Sequence, residues 1–222
     1  MNKFKLFSLY IFLNLLLTHY TVIAKPDQFV ALDGKPNFRQ ESNAWYKLTI
    51  PFRVLDHPLA STSGNSSLDP AKLIHEDYLD DLKIKVTICF RNDYSRKKLG
   101  GAKKDIKFFE YFSSETELIT IDVDRSSKRE VNFLFPKIVA DKMELGFAPE
   151  LIGYVLEFSV NGALLEVSKG VAFESYSSED ILSKFRSEAL SKSSENEGIL
   201  IPAHFISQNY LDNLGPVKRE HQ

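Results

Sequence analysis

The side chains in this sequence able to do acid, base, nucleophilic or metal chemistry are few: Cys89, the histidines, and two glutamates that a hairpin brings face to face. Glu157 and Glu166 flank Asn161-Gly162, and the register expected around that turn sets them opposite each other on the outer face of its two strands. Two carboxylates so placed could share acid and base roles in glycoside cleavage or hold calcium. Like charges facing across a ladder are unfavourable, so the simpler reading has a neighbouring strand supply Lys83 or Lys85, or leaves the pair solvated. Cys89 is the sole cysteine, which excludes an internal disulfide. Alternation gives it one face with Lys83, Lys85 and Arg91, cations that would favour a thiolate if the site were open to water. Its mid-strand position favours packing under a second layer instead. His57, His75, His204 and His221 each lack a second histidine or cysteine at metal-ligand spacing. HExxH, CxxC, GxSxG, P-loop and GxGxxG patterns are all missing. The residues therefore imply no catalytic centre, no metal and no cofactor.

Two segments suit contact better than catalysis. Arg91 to Lys107 carries Arg91, Arg96, Lys97, Lys98, Lys103, Lys104 and Lys107 against only Asp93 and Asp105, and reads as a long basic hairpin loop. Such a loop could meet an acidic partner or an anionic envelope surface, although a charge run is more often simply solvated. Phe108-Phe109-Glu110-Tyr111-Phe112 is apolar on both strand faces apart from Glu110. Either a C-terminal helix covers its second face, the reading preferred here, or Phe109 and Tyr111 belong to an exposed aromatic patch that awaits a partner.

The elements that would position these residues are mostly strands. Tyr46, Leu48, Ile50, Phe52 and Val54 alternate with Lys47, Thr49, Pro51 and Arg53, the period of a half-buried strand. Leu82, Ile84, Val86, Ile88 and Phe90 repeat the pattern, and further runs follow at 106–112, 118–123, 131–135, 152–160 and 163–167. Asn161-Gly162 predicts a type I′ turn, since both residues tolerate φ > 0, with Val160 opposite Ala163, Phe158 opposite Leu165 and Leu156 opposite Val167. Asp69-Pro70 predicts the start of a short helix running to about Leu79. Ser177 and Asp180 have capping-box spacing for a second helix that turns Ile181, Leu182, Phe185 and Ala189 or Leu190 inward. Beyond a polar linker, Ile199, Leu200, Ile201, His204 and Phe205 form an apolar segment expected to dock back on the strands.

Lys3 and Lys5, the apolar run Leu6 to Leu17 and the closing Val22-Ile23-Ala24 follow the grammar of a secretory signal peptide. The apolar core is shorter than the ~20 residues a membrane span needs, so cleavage after Ala24 is expected, with no transmembrane segment afterwards and a periplasmic or cell-surface location. Losing Lys3 and Lys5 takes the formal charge from −2 to −4. That acidity is poor for nucleic-acid binding, which rests on Lys and Arg neutralising phosphates. A chain of this size buries roughly 70% of its unfolded surface without metal or disulfide staples.

Several stretches share a wider likeness: Trp45 before an alternating strand, Tyr78-Leu79-Asp80-Asp81-Leu82 leading into Lys83-Ile84-Lys85-Val86, and Ser114-Glu115-Thr116-Glu117-Leu118. With Val131-Asn132-Phe133-Leu134-Phe135-Pro136, the Asn161-Gly162 turn and Asn196 to Pro202, the chain from about 43 to 206 resembles the pilus-like secreted proteins of Verrucomicrobia-type bacteria. The resemblance implies an immunoglobulin-like antiparallel sandwich encoded beside type IV pilus-like assembly genes, with no catalytic residues to carry over. The chain lacks the pilin leader, which leaves open a filament subunit or an accessory factor. The expected fold is thus mainly β, about seven strands, with a short helix between the first two strands and a C-terminal helix. The expected divisions are a signal peptide (1–24), an N-terminal extension (25–43), a sandwich (44–176), and a helix, docking segment and tail (177–222). The expected function is non-enzymatic binding of protein partners in a pilus-like surface system, the alternative a carbohydrate-binding or carbohydrate-cleaving sandwich.

Overall fold

Two sheets of mainly antiparallel strands face each other, and a helix lies on the outside of one of them. The computed structural model describes residues 29–58, 77–92 and 109–205. Its strands are β1 (Val30–Leu32), β2 (Asn37–Gln40), β3 (Trp45–Val54), β4 (Tyr78–Arg91), β5 (Phe109–Asp122) and β6 (Arg129–Pro136). A short helix α1 (Lys137–Lys142) leads to β7 (Leu151–Val160), β8 (Ala163–Leu165), β9 (Val167–Ser168) and β10 (Val171–Phe173). Helix α2 (Glu179–Lys192), a 3₁₀ turn (Ser193–Asn196), β11 (Ile201–Pro202) and a second 3₁₀ turn (Ala203–Phe205) complete the described chain. The first sheet runs β11-β6-β3-β1-β9, with β2 also on β3; the second runs β10-β7-β4-β5, with β8 also on β7.

Alternation built the interior as the sequence requires. The even-numbered residues from Tyr46 to Val54 and from Leu82 to Phe90 are buried and meet between the sheets. Aromatic rings fill the middle: Phe112 meets Phe135 edge-on at 4.8 Å between centroids, and Phe52 lies 5.6 Å from Phe158. Such pairs add stabilisation beyond their buried area.

Five local expectations change. The runs at 106–112 and 118–123 belong to one strand, because β5 is continuous through Ser113 to Glu117. Those polar residues still find partners across the ladder, Thr87 opposite Ser113 and Lys85 opposite Glu115. Tyr78 and Leu79, placed at a helix end, open β4 instead; the rest of that predicted helix lies outside the described residues. Much of the stretch taken as an N-terminal extension pairs with β3 as β1 and β2. The N-cap of α2 is Ser178, without a side-chain capping bond, so the Ser177–Asp180 capping box does not form.

The fifth change concerns the hairpin. Asn161 and Gly162 take φ of 50° and 79°, and Val160–Ala163 and Phe158–Leu165 pair as expected. Leu156 does not meet Val167, because after Leu165 the chain crosses to the other sheet, where Val167 pairs in parallel with Val30. It then returns as β10, and Leu156 donates its N–H to Gly170 instead. One side of the sandwich is thereby sewn shut. At the other side β11 pairs Ile201 and Pro202 with Leu134 and Phe133 of β6, and the short β5–β6 connection crosses between the sheets with Arg129 bound to Asp122 at 2.8 Å. Of the segment expected to dock, Leu200 is buried and Ile201 pairs in β11, whereas His204 and Phe205 are exposed.

Candidate functional site

Chemistry on the outer face of the second sheet is closed off by α2. Phe185 and Ala189 of the helix bury Cys89, Tyr111, Ile152 and Val155, with Phe109, Val171, Phe173 and Leu190 around them. Phe185 stacks on Phe173 at 4.5 Å, and the fit is tight enough that a Cβ on Gly153 would stand 2.7 Å from the Phe185 ring. The aromatic run of β5 is thus divided between two interiors: Phe112 faces the main core, while Tyr111 lies under the helix and Phe109 packs edge-on against Phe173. Tyr111 is buried and Phe109 half-buried, so neither forms the exposed patch that was the alternative reading.

Cys89 sits at 0% exposure beneath this helix, and burial pushes its thiol up to about 12. The nearby Tyr111 hydroxyl is also shifted upward, mainly by burial and then by the Cys89 and Glu188 charges, and forms no hydrogen bond of normal geometry. Lys192 is held by Glu188 at 2.6 Å and lies 5.7 Å over the Tyr111 ring. A neutral thiol sealed from solvent is a packing residue, not a nucleophile. Desolvation is the largest effect on the thiol and outweighs the lowering by the Tyr111 hydroxyl and by Lys192.

The β7–β8 ladder ends at Phe158–Leu165, so Glu157 and Glu166 do not form the next pair of it. Glu157 faces Lys85 across β4 and binds Arg186 of α2 at 2.9 Å, whereas Glu166 is exposed where the chain leaves the sheet after β8. The ladder ends there because the chain crosses to β9, and Glu157 is engaged by Arg186 and not by a second carboxylate. His57 is buried just beyond the end of β3, and His204 is exposed, its ring tilted against that of Phe205 with 4.2 Å between centroids. His75 and His221 lie outside the described residues, as do Arg96, Lys97, Lys98, Lys103 and Lys104. Arg91 pairs with Phe109 at the ends of β4 and β5, and the expected basic loop between them lies outside the described residues. Among the described residues no group of His, Cys, Asp and Glu could hold a metal ion, and no helix is long and apolar enough to cross a membrane.

Two open depressions remain. One, of about 500 Å³, lies between β5, the end of α2 and β11, and includes Lys85, Ser113, Glu115, Ser193 and Glu197. Two of its hydroxyls are engaged by the backbone: Ser113 donates to the Ser193 carbonyl and Ser193 to that of Leu190. The other, of about 460 Å³, follows the unsewn side of the sandwich between Glu117–Thr120 of β5 and Glu130–Asn132 of β6, closed at one end by Ala203 and His204. Ile119 is 80% exposed there, and Phe205, beside His204, is 72% exposed.

Sequence reasoning passed over Ile119, although a signal existed. Leu79 and Leu82 both point inward from β4, an odd and an even position, so one residue between them must break phase. Asp81 does so at φ 55°, a left-handed conformation that Asp tolerates better than most residues. On β5 the matching slip turns Leu118 and Ile121 inward and leaves Ile119 outside.

These features define a two-sheet β protein with a helical cover on one face and one open lateral seam. Comparison with family models, with curated proteins and with solved structures returns no match.

Proposed function

We propose that this chain is an exported, non-enzymatic interaction protein that binds other proteins of a pilus-like surface system. The observation that carries the reading is that two of the large apolar side chains left in solvent, Ile119 in the open seam and Phe205 at its end beside His204, lie together, whereas Phe147 and Leu164 are exposed elsewhere on the surface. Apolar surface kept exposed by a folded protein commonly marks a contact site. The N-terminal lysines and apolar run support export as a cleaved secretory protein.

Strand order supports an immunoglobulin-like relation. With β1, β3 and β6 as strands A, B and E, and β4, β7 and β8 with β10 as C, F and G, the arrangement follows the immunoglobulin sandwich. The strand β5 then takes the C′ position beside C, not the D position beside E. The carbohydrate reading loses its support, since it rested on facing glutamates and a displayed aromatic run.

Deleting the gene and isolating surface filaments with their associated proteins tests the proposal. Altered assembly, or proteins that co-purify with this chain from intact cells, is the expected result. Unchanged filaments with no co-purifying protein would refute it.

A further inference from the structure

The free edge of β5 is built to accept a strand, and we propose that its occupant is an extended segment of another protein in which Lys or Arg alternates with apolar residues. The proposal rests on the interaction function above and names the site and the partner's chemistry.

Two hydrogen bonds fix which residues of β5 face outward. Leu156 sends its N–H to Gly170, away from β4. Its neighbours Val155 and Glu157 therefore bond to Thr87 and Lys85, because backbone groups alternate sides along a strand. Val86 and Ile84 are then left to bond Ser114 and Thr116 of β5, so Ser113, Glu115, Glu117 and Ile119 present their N–H and C=O to the free edge. Asn196 confirms the parity independently by donating to the Tyr111 carbonyl from that side at 2.9 Å. The 3₁₀ turn covers the edge at Tyr111 and Ser113 only. From Glu115 to Ile119 no backbone partner exists among the described residues.

The groove beside this edge sets the occupant's pattern. Residues of an added strand at alternate positions would lie next to Glu115, Glu117 and Ile119, at the ~5 Å spacing of cross-strand neighbours. The intervening ones would turn toward Leu118 and Val131 between the two sheets. The β4 cations on this face are Lys83, 2.9 Å from Glu115 and opposite Glu117, and Lys85, which lies opposite Glu115 on one side and Glu157 on the other. The groove lining adds Glu130 and contains no Lys or Arg. The pattern that complements this is basic–apolar–basic–apolar–apolar, read in either chain direction. A second copy of β5 would bring Glu115, Glu117 and Asp122 against the same acids. The chain's own 206–222 carries its adjacent cations only at Lys218-Arg219, without the alternation.

A fluorescein-labelled peptide with the core Lys-Val-Lys-Val-Ile, titrated into the purified full chain, tests this by anisotropy and by amide hydrogen exchange. The alternating peptide should bind at least about tenfold more tightly than an isomer with adjacent lysines, and should slow exchange at Glu115, Glu117 and Ile119. Glu117→Pro removes an outward N–H without touching the β4 ladder and should cost about tenfold in affinity; Glu117→Gln, which keeps the N–H, should cost less and lose its effect at high salt. Equal affinity for the two peptides, or protection elsewhere, overturns the strand site. So does protection of these amides without peptide, whether it depends on protein concentration, as for a second copy, or vanishes on deleting 206–222, as for the chain's own tail. Partners recovered from cells that protect a different face would leave the interaction function standing and remove only this site.

Discussion

Replacing Phe185 by Ala should release α2 from the sheet while leaving the sandwich folded, and Cys89 reports the event. Phe185 is the largest buried side chain that α2 contributes, stacked on Phe173 and seated against Gly153; Ala189 is the other. Truncating a buried Phe to Ala costs about 3–5 kcal/mol. If that loss falls on helix docking alone, the open population rises by between about a hundredfold and a few thousandfold, at 1.36 kcal/mol per tenfold. Cys89 is the only cysteine and is fully covered, so an aromatic disulfide reagent at pH 8 reads one site and one opening. The expected result is labelling faster by that factor with the near-UV circular dichroism of the buried Trp45 unchanged. Labelling that accelerates only as the Trp45 signal disappears would show one cooperative unit and refute a separately docked helix; an unchanged rate would refute the helix as the cover.

Gly153→Ala places a methyl 2.7 Å from the Phe185 ring and 3.0 Å from the Ala172 carbonyl. It should destabilise by about 1–3 kcal/mol in denaturant melts, as overpacking does, and should also speed Cys89 labelling. Stability should fall as pH rises above about 9, because the Cys89 thiol, at about 12 in the folded state, keeps its proton where the unfolded chain's thiol, at its ordinary 9.0, gives it up. Tyr111 and Tyr154 are shifted upward as well, mainly by burial, and act in the same direction; Cys89→Ala should flatten part of the alkaline fall in thermal melts. Asp81→Val puts a β-branched residue at φ 55° and should cost about 1–2 kcal/mol, measured by thermal unfolding.

The parts of the fold readable in the sequence are those fixed by local side-chain pattern. Alternation identified β3, β4, β6 and β7 because each turns every second side chain into the core between the sheets. Asn161-Gly162 fixed the first two pairs of its hairpin because a two-residue turn constrains only its neighbours. It could not reveal that the chain departs at Glu166, since β9 is drawn away by pairing with Val30, far off in sequence. The glutamate pair was lost for that reason. The fate of Cys89 was readable in kind, as packing under a second layer, while its cover came from Phe185 and Ala189 nearly a hundred residues later. Short strands such as β1 and β11 carry too few residues to show a period and exist through the edges they join.

A sandwich can meet a partner through its two outer faces, its two lateral seams or its end loops. Here the outer face of the first sheet is tied up in its own polar contacts, Lys47 with Glu41, Arg53 with Asp33 and Thr49 with Asn132. The part of the second sheet's outer face around Cys89, Tyr111 and Val155 lies under α2, and the seam along β7 is closed by the excursion through β8, β9 and β10. The seam between β5 and β6 is the exception, because β11 pairs with only two residues of β6 and the 3₁₀ turn covers only the start of β5. Proteins that leave an edge uncovered usually blunt it with charge to prevent self-pairing, and Glu115, Glu117 and Glu130 do that here. The same charges that repel an identical edge attract one bearing lysine or arginine. Protection against self-association and selection of a basic strand are therefore one electrostatic property of this seam, and neutralising Glu117 should weaken both together.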